Sequence, residues 1–267
     1  MSRGILLVGC GKMGSALLAG WLRQGIAATD IVIVEPNPVP DLPAGIRQVG
    51  SADAVTADFS PALVMLAVKP QVMDAVAPAY AGYANSGACI LSIAAGKTIA
   101  TLNRLLGGKA AIVRAMPNTP AAVGAGITVC CPNAGVSAAQ RNFCGDLLAA
   151  VGEVAWVEDE GLIDAVTAVS GSGPAYVFWL TECMAAAGEK AGLDPALAAR
   201  LAQATVCGSG LLMRQSPDSP TQLRKNVTSP NGTTQAALDV LMAPDGLASL
   251  MERAVAAAAK RSRELAG

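Results

Sequence analysis

The residues Val227-Thr228-Ser229-Pro230-Asn231-Gly232-Thr233-Thr234 put several hydroxyls, a glycine and a helix start into one short turn between apolar helical segments. Ser229 and Pro230 end one helix, Gly232 frees the backbone, and Thr233 and Thr234 open the next. The first N–H groups of a helix lack intrahelical partners and carry the positive end of its dipole, so such a turn can hold a carboxylate. The same residues also suit a Ser/Thr-capped interhelical turn with no ligand, and locally both readings stand.

A second pattern lies at the other end of the chain. Gly9-Cys10-Gly11-Lys12-Met13-Gly14 has the spacing G-x-G-x-x-G, after an apolar run (5–9) and at the start of a helical run (13–22). In that context the first glycine makes the tight turn, the second admits a pyrophosphate, and the third lets helix and strand approach. Gly9, Gly11, Lys12, Met13 and Gly14 are therefore expected against a dinucleotide; a ligand-free strand-helix turn is the alternative. Glu35 follows Gly14 by 21 residues and ends the second apolar run, where an acid can bond an adenosine ribose 2′-hydroxyl. That favours NAD over NADP, although Asn37 adds a neutral amide beside it. Ala67, Val68, Lys69 and Pro70 follow the fourth apolar run, and Ala95 and Gly96 the fifth, where small residues admit a ribose or nicotinamide. Lys69 reads equally as a cofactor contact or a solvated lysine. Asn118 sits in a stiff turn between Pro117 and Pro120 and suits a site wall.

These positions need a frame. Residues 1–157 alternate short apolar runs with helical patterns, which predicts an α/β fold, a doubly wound parallel sheet of the Rossmann kind. Strands are expected at 5–9, 31–35, 46–49, 63–68, 88–93 and 111–116. Runs at 127–131 and 154–157, around a helix at 138–151, should extend one edge. From 158 to 267 the pattern is all helical, with Asp194 before Pro195 and Ser219 before Pro220 placed to cap helices. Helices over 174–191 and 195–214 are apolar on most faces and need a partner surface. A homodimer through this C-terminal half is the expectation, or a larger assembly built on it.

Composition removes other chemistries. The chain has 267 residues, no histidine and a net charge of −1. Without histidine, Cys/His zinc sites, Ser-His triads and imidazole acid/base catalysis are excluded, and no metal is expected. No basic run marks a nucleic-acid surface. Mean hydropathy is +0.45, yet the two longest uncharged stretches, 75–96 and 115–140, are broken by prolines and polar residues, so no membrane span is expected. Seven cysteines without C-x-x-C spacing read as reduced core residues of a cytoplasmic protein.

Taken together, the glycine pattern, Ala67-Val68-Lys69-Pro70, Met116-Pro117-Asn118-Thr119-Pro120, Ser170-Gly171-Ser172-Gly173-Pro174-Ala175-Tyr176 and above all the 227–234 turn resemble pyrroline-5-carboxylate reductase, essentially from end to end. The resemblance implies reduction of L-1-pyrroline-5-carboxylate to L-proline with NADPH or NADH, the last step of proline biosynthesis, on a Rossmann domain joined to a helical dimerisation domain. Asn231 departs from the glycine more frequent in the family, and Glu35 with Asn37 from its small or neutral residues.

A protonated imine accepts hydride directly, so the absence of histidine fits: the protein must orient more than it must abstract protons. The substrate carboxylate is assigned to the Ser229 hydroxyl and the N–H groups of Gly232 and Thr233. The Thr234 hydroxyl is placed on the ring nitrogen, a role the resemblance supports. Asn226 and Glu160 are further candidates near cofactor or substrate, or else capping and linker residues. A hydroxyacid dehydrogenase would want a lysine base on the first long helix, and 174–188 has none. A nucleotide-sensing module would explain the glycine loop and leave 227–234 without a role.

Overall fold

The computed structural model describes residues 4–266. Four strands, Ile5–Val8 (β1), Ile31–Val34 (β2), Leu63–Leu66 (β4) and Cys89–Ser92 (β5), are buried at every residue, as strands covered on both faces must be. With Arg47–Val49 (β3), Ile112–Met116 (β6), Gly126–Pro132 (β7) and Gly152–Trp156 (β8) they form one eight-stranded sheet, ordered β3-β2-β1-β4-β5-β6-β7-β8. All neighbours run parallel except β6 and β7. The expected sheet is thus present, with the last two runs extending its edge. Strand order reverses at β1, whose neighbours are β2 and β4, so the ligand crevice of such a sheet opens beyond the carboxyl ends of β1 and β4.

Helices cover both faces. Lys12–Arg23 (α1) and Ala138–Ala149 (α5) share one core with alternate strand residues, including Ile5, Leu7, Leu17, Trp21 and Leu147. The Trp21 indole is fully buried, and its Nε1–H donates to the Leu147 carbonyl at 2.9 Å, so the large apolar surface is gained without an orphaned donor. Met73–Val76 (α2), Ala81–Asn85 (α3) and Ile99–Leu105 (α4) lie over the opposite core, which takes Leu6, Val8, Met73, Tyr80 and Leu102.

A short helix, Ile163–Val166 (α6), leads into a π-turn at Thr167–Gly171, and the chain divides into two compact units after Gly171. The segment from Ala259 returns to the first unit; within it, Ser262 Oγ donates to Asp164 Oδ1 at 2.6 Å. The boundary expected at 157/158 lies before this division, ahead of the short turn Glu160–Leu162, α6 and the π-turn.

The second unit is built from Gly173–Lys190 (α7), Pro195–Gln215 (α8), Pro220–Asn226 (α9), Thr233–Leu241 (α10) and most of Leu247–Ala266 (α11). The Asp194 carboxylate accepts the Ala196 and Leu197 N–H groups, and the Ser219 hydroxyl accepts that of Gln222. The two Pro-flanked caps read from sequence are thus in place. α7 has no buried residue, and Phe178 and Trp179 on it are 62% and 64% exposed. Among the described residues, α8 is the one helix long and apolar enough to cross a membrane.

Candidate active site

The loop after β1 is built by steric need. Gly9 has φ +88°, and a methyl there would lie 2.9 Å from the Ala67 carbonyl oxygen and from Val68 Cγ1. A methyl on Gly14 would lie 2.6 Å from the Gly9 carbonyl oxygen. Both glycines are thus required by the protein's own packing. Gly11 differs: nothing lies within 4 Å of a methyl built on it, so its bare backbone leaves room rather than relieving a clash. It is also the N-cap of α1, with no side-chain cap and no acid in the first turn, which leaves amides and dipole available to an anion. Lys12 is exposed and Met13 half-buried at this start. These residues fit a dinucleotide pyrophosphate.

Ala67, Val68 and Glu35, also predicted, meet the loop. Ala67 and Val68 abut Gly9. Pro70 opens a short turn, Pro70–Val72, behind the exposed Lys69, whose carbonyl accepts the Val72 N–H. Glu35 reaches back from the end of β2: Oε2 accepts the Cys10 N–H at 3.1 Å, and Oε1 accepts the Asn37 backbone and side-chain N–H groups at 3.1 Å each. Partial burial pushes this carboxyl up, but those three donors together outweigh it and hold it below its ordinary range, so it is ionised at neutral pH. Burial raises the neighbouring Cys10 thiol, against a bond to Ser15, and keeps it neutral.

Asn118 and Asn226, also predicted, are hydrogen-bonded within the protein. Asn118 Oδ1 accepts the Ile127 N–H at 2.9 Å and so fixes the start of β7. Asn226, in the second unit, accepts from Gln222 at 2.7 Å and donates to Asp218 at 3.2 Å, a tie between α9 and the loop leading into it. Ala95 is exposed, while Gly96 takes φ +73° against the Leu265 carbonyl.

Sequence reasoning missed the ion pair beneath the loop after β5. Arg114 on β6 is 5% exposed, and its Nη1 donates to Glu160 Oε1 at 2.7 Å. The same oxygen accepts the Ile99 N–H, the first amide of α4, at 2.8 Å. Arginine inside the apolar run Ile112–Met116 was the available signal, since a buried guanidinium needs an acid. Gln48 was missed as well: its Nε2 donates to the Glu35 and Asn37 carbonyls at 2.8 and 2.7 Å.

The 227–234 turn is also built as its residues suggest, with one difference. Asn231 takes φ +59°, the left-handed conformation that asparagine tolerates better than most residues. α10 then starts at Thr233 with Gly232 as N-cap and no side-chain cap. The Gly232 N–H, expected to bind a ligand, instead donates to the Ser229 carbonyl at 3.0 Å and closes the turn. The first helical bond at this end is Ala236 N–H to the Gly232 carbonyl. Among the described residues, the amides of Thr233, Thr234 and Gln235 and the hydroxyls of Ser229, Thr233 and Thr234 have no protein partner. A methyl on Gly232 would lie 2.5 Å from Ser229 Oγ, which puts that hydroxyl beside the free amides. Where α5, α8 and α9 are closed by Ser137, Asp194 and Ser219, α10 offers uncapped donors to an anion.

No group of three or more metal-ligating side chains occurs among the described residues. Comparison with known proteins gives concordant results. Residues 160–265 match the family model "Pyrroline-5-carboxylate reductase dimerisation", and residues 4–96 match "NADP oxidoreductase coenzyme F420-dependent". A pyrroline-5-carboxylate reductase of Pseudomonas aeruginosa is 43% identical, over 98% of this chain and 96% of that one. The structure of such a reductase from Coxiella burnetii superposes with a TM-score of 0.92 at 32% identity, over the full length of both chains. The Plasmodium falciparum enzyme, solved with NADP bound, gives 0.83 at 28% identity, covering 99% of this chain and 98% of that one.

Proposed function

Because this chain belongs to the pyrroline-5-carboxylate reductase family, we propose that the start of α10 holds its substrate and the loop after β1 its dinucleotide. The enzyme reduces L-1-pyrroline-5-carboxylate to L-proline with NADPH or NADH, the last step of proline biosynthesis. Bound nicotinamide supplies the hydride; everything else must come from side chains and amides. The ring carboxylate is received by the Thr233 and Thr234 N–H groups and the Ser229 hydroxyl, and the α10 dipole adds to their attraction. Gly232 serves by being small, not by donating. The Thr234 hydroxyl hydrogen-bonds the ring nitrogen and fixes the C=N carbon for attack. An imine that is protonated before reduction needs no strong protein base, in keeping with a chain that has no histidine. Orientation then supplies the rate, which requires the reacting carbons to be held about 3–3.5 Å apart.

The observation that carries this reading is the uncapped α10 start with the Ser229 hydroxyl beside it. Dinucleotide contacts are assigned to Gly9, Gly11, Gly14 and Glu35, with Ala67, Val68 and the Ala95-Gly96 turn as walls. The chain forms a homodimer, and we assign substrate binding and dimerisation to the residues after about 158. A higher oligomer and a cytoplasmic location are part of the same reading; seven free cysteines, five of them buried, suit a reducing compartment.

Thr234→Ala tests it directly. Turnover should fall about ten- to thousand-fold while nucleotide affinity, measured by calorimetry, is unchanged. Unaltered turnover would remove Thr234 from the reaction.

A further inference from the structure

The ribose end of the nucleotide groove supports a conclusion about which nucleotide is preferred, and this rests on the dinucleotide reading above. Glu35 is held by donors on both oxygens, from Cys10 in the glycine loop and from Asn37. Gln48 secures the same turn from β3: its Nε2 bonds the Glu35 and Asn37 carbonyls, and its Oε1 accepts the Val39 N–H at 3.1 Å. A carboxylate oxygen accepts about two hydrogen bonds, so Oε2, which takes one from Cys10, keeps room for a hydroxyl.

Among the described residues, the turn that follows Glu35 brings no free cation to the ribose end. Between Glu35 and Val49 the one basic residue is Arg47, and Asp41 adds another acid. Arg47 pairs in register with Val32, whereas Val49 pairs with Val34, so Arg47 lies on the amino side of the edge where nucleotides bind. Its guanidinium is also engaged, donating to Thr56 Oγ1 at 2.8 Å and lying 5.7 Å over the Phe59 ring. The glycine loop contributes only Lys12, next to the pyrophosphate position.

We propose that Glu35 makes this chain bind NADH more tightly than NADPH: its fixed carboxylate accepts the ribose 2′-hydroxyl of the one and opposes the 2′-phosphate of the other. NADPH remains a substrate of the same groove, bound against that repulsion. Lys12 serves the pyrophosphate common to both nucleotides and gives no discrimination.

Isothermal titration of the full-length protein with NADH and with NADPH tests this by binding alone. Wild type should bind NADH about tenfold more tightly, and the gap should narrow as ionic strength rises. Glu35→Ser should close the gap by tightening NADPH, whereas Lys12→Ala should weaken both nucleotides alike. Equal or tighter NADPH binding by wild type, with both nucleotides lost in Gly11→Val, would overturn the preference and leave the dinucleotide site standing. If Gly11→Val left both affinities unchanged, the site and the preference would fall together.

Discussion

At the scale of single residues, the turn before α10 depends on atoms that are absent. Gly232 has φ −82°, which any residue can adopt, so backbone freedom is not what glycine supplies there. What it supplies is space, since a methyl would stand 2.5 Å from Ser229 Oγ. The colliding atom ends a short rotatable side chain, so Gly232→Ala should fold with little loss of stability and displace the hydroxyl instead. One charge-assisted hydrogen bond to a carboxylate is worth about 1.5–3 kcal/mol. KM for pyrroline-5-carboxylate should therefore rise roughly ten- to hundredfold in steady-state assays, at near-normal kcat, with nucleotide affinity unchanged. A variant with wild-type KM would show that Ser229 does not touch the carboxylate. Asn231 supplies the backbone freedom, at φ +59°, because its short polar side chain suits left-handed backbone. The turn was legible in sequence because its chemistry is local. That the Gly232 amide closes the turn was not, because which carbonyl an amide finds depends on the dihedral angles of the intervening residues.

At the scale of elements, what could be read ahead and what could not divides by range. The buried strands announce themselves through uninterrupted apolar runs, and caps such as Asp194 and Ser219 through residues a few positions apart. The Arg114–Glu160 pair spans 46 positions and joins the middle of β6 to the first amide of α4. Nothing local in the sequence specifies such a match. The pair anchors the helix that follows the Ala95-Gly96 turn, the turn we assign as one wall of the nucleotide groove. Glu160→Ala would strand a guanidinium that is 5% exposed and leave the Ile99 amide unsatisfied. Breaking a buried pair from one side costs about 3–5 kcal/mol. Urea unfolding should reveal a loss of that order, and Glu160→Ala combined with Arg114→Met should recover part of it, because no buried charge then lacks a partner. A single variant within about 0.5 kcal/mol of wild type would show that the pair is decorative.

At the scale of the whole molecule, the second unit cannot be complete as one chain. α7 buries none of its residues within the chain, and Phe178, Trp179, Leu211 and Leu212 are all more than half exposed. Apolar surface of this extent on long helices is what obligate dimers cover, and the dimerisation family model spans this same region. It also accounts for α8, whose membrane-like composition is that of a helix with its partner removed. Trp179 lies in an apolar groove between α7 and α11, with Leu180, Leu250 and Met251. A charge there should disfavour association more than it disturbs the sheet of the first unit. Sedimentation velocity of wild type should give at least twice the 26.8 kDa chain mass at micromolar concentration. Trp179→Glu should shift the population toward monomer and lower specific activity with it, while nucleotide binding by the first unit persists. An active wild-type monomer would mean that these helices fold and function without a second copy. Their exposed faces would then have to be stable in water by some means other than burial.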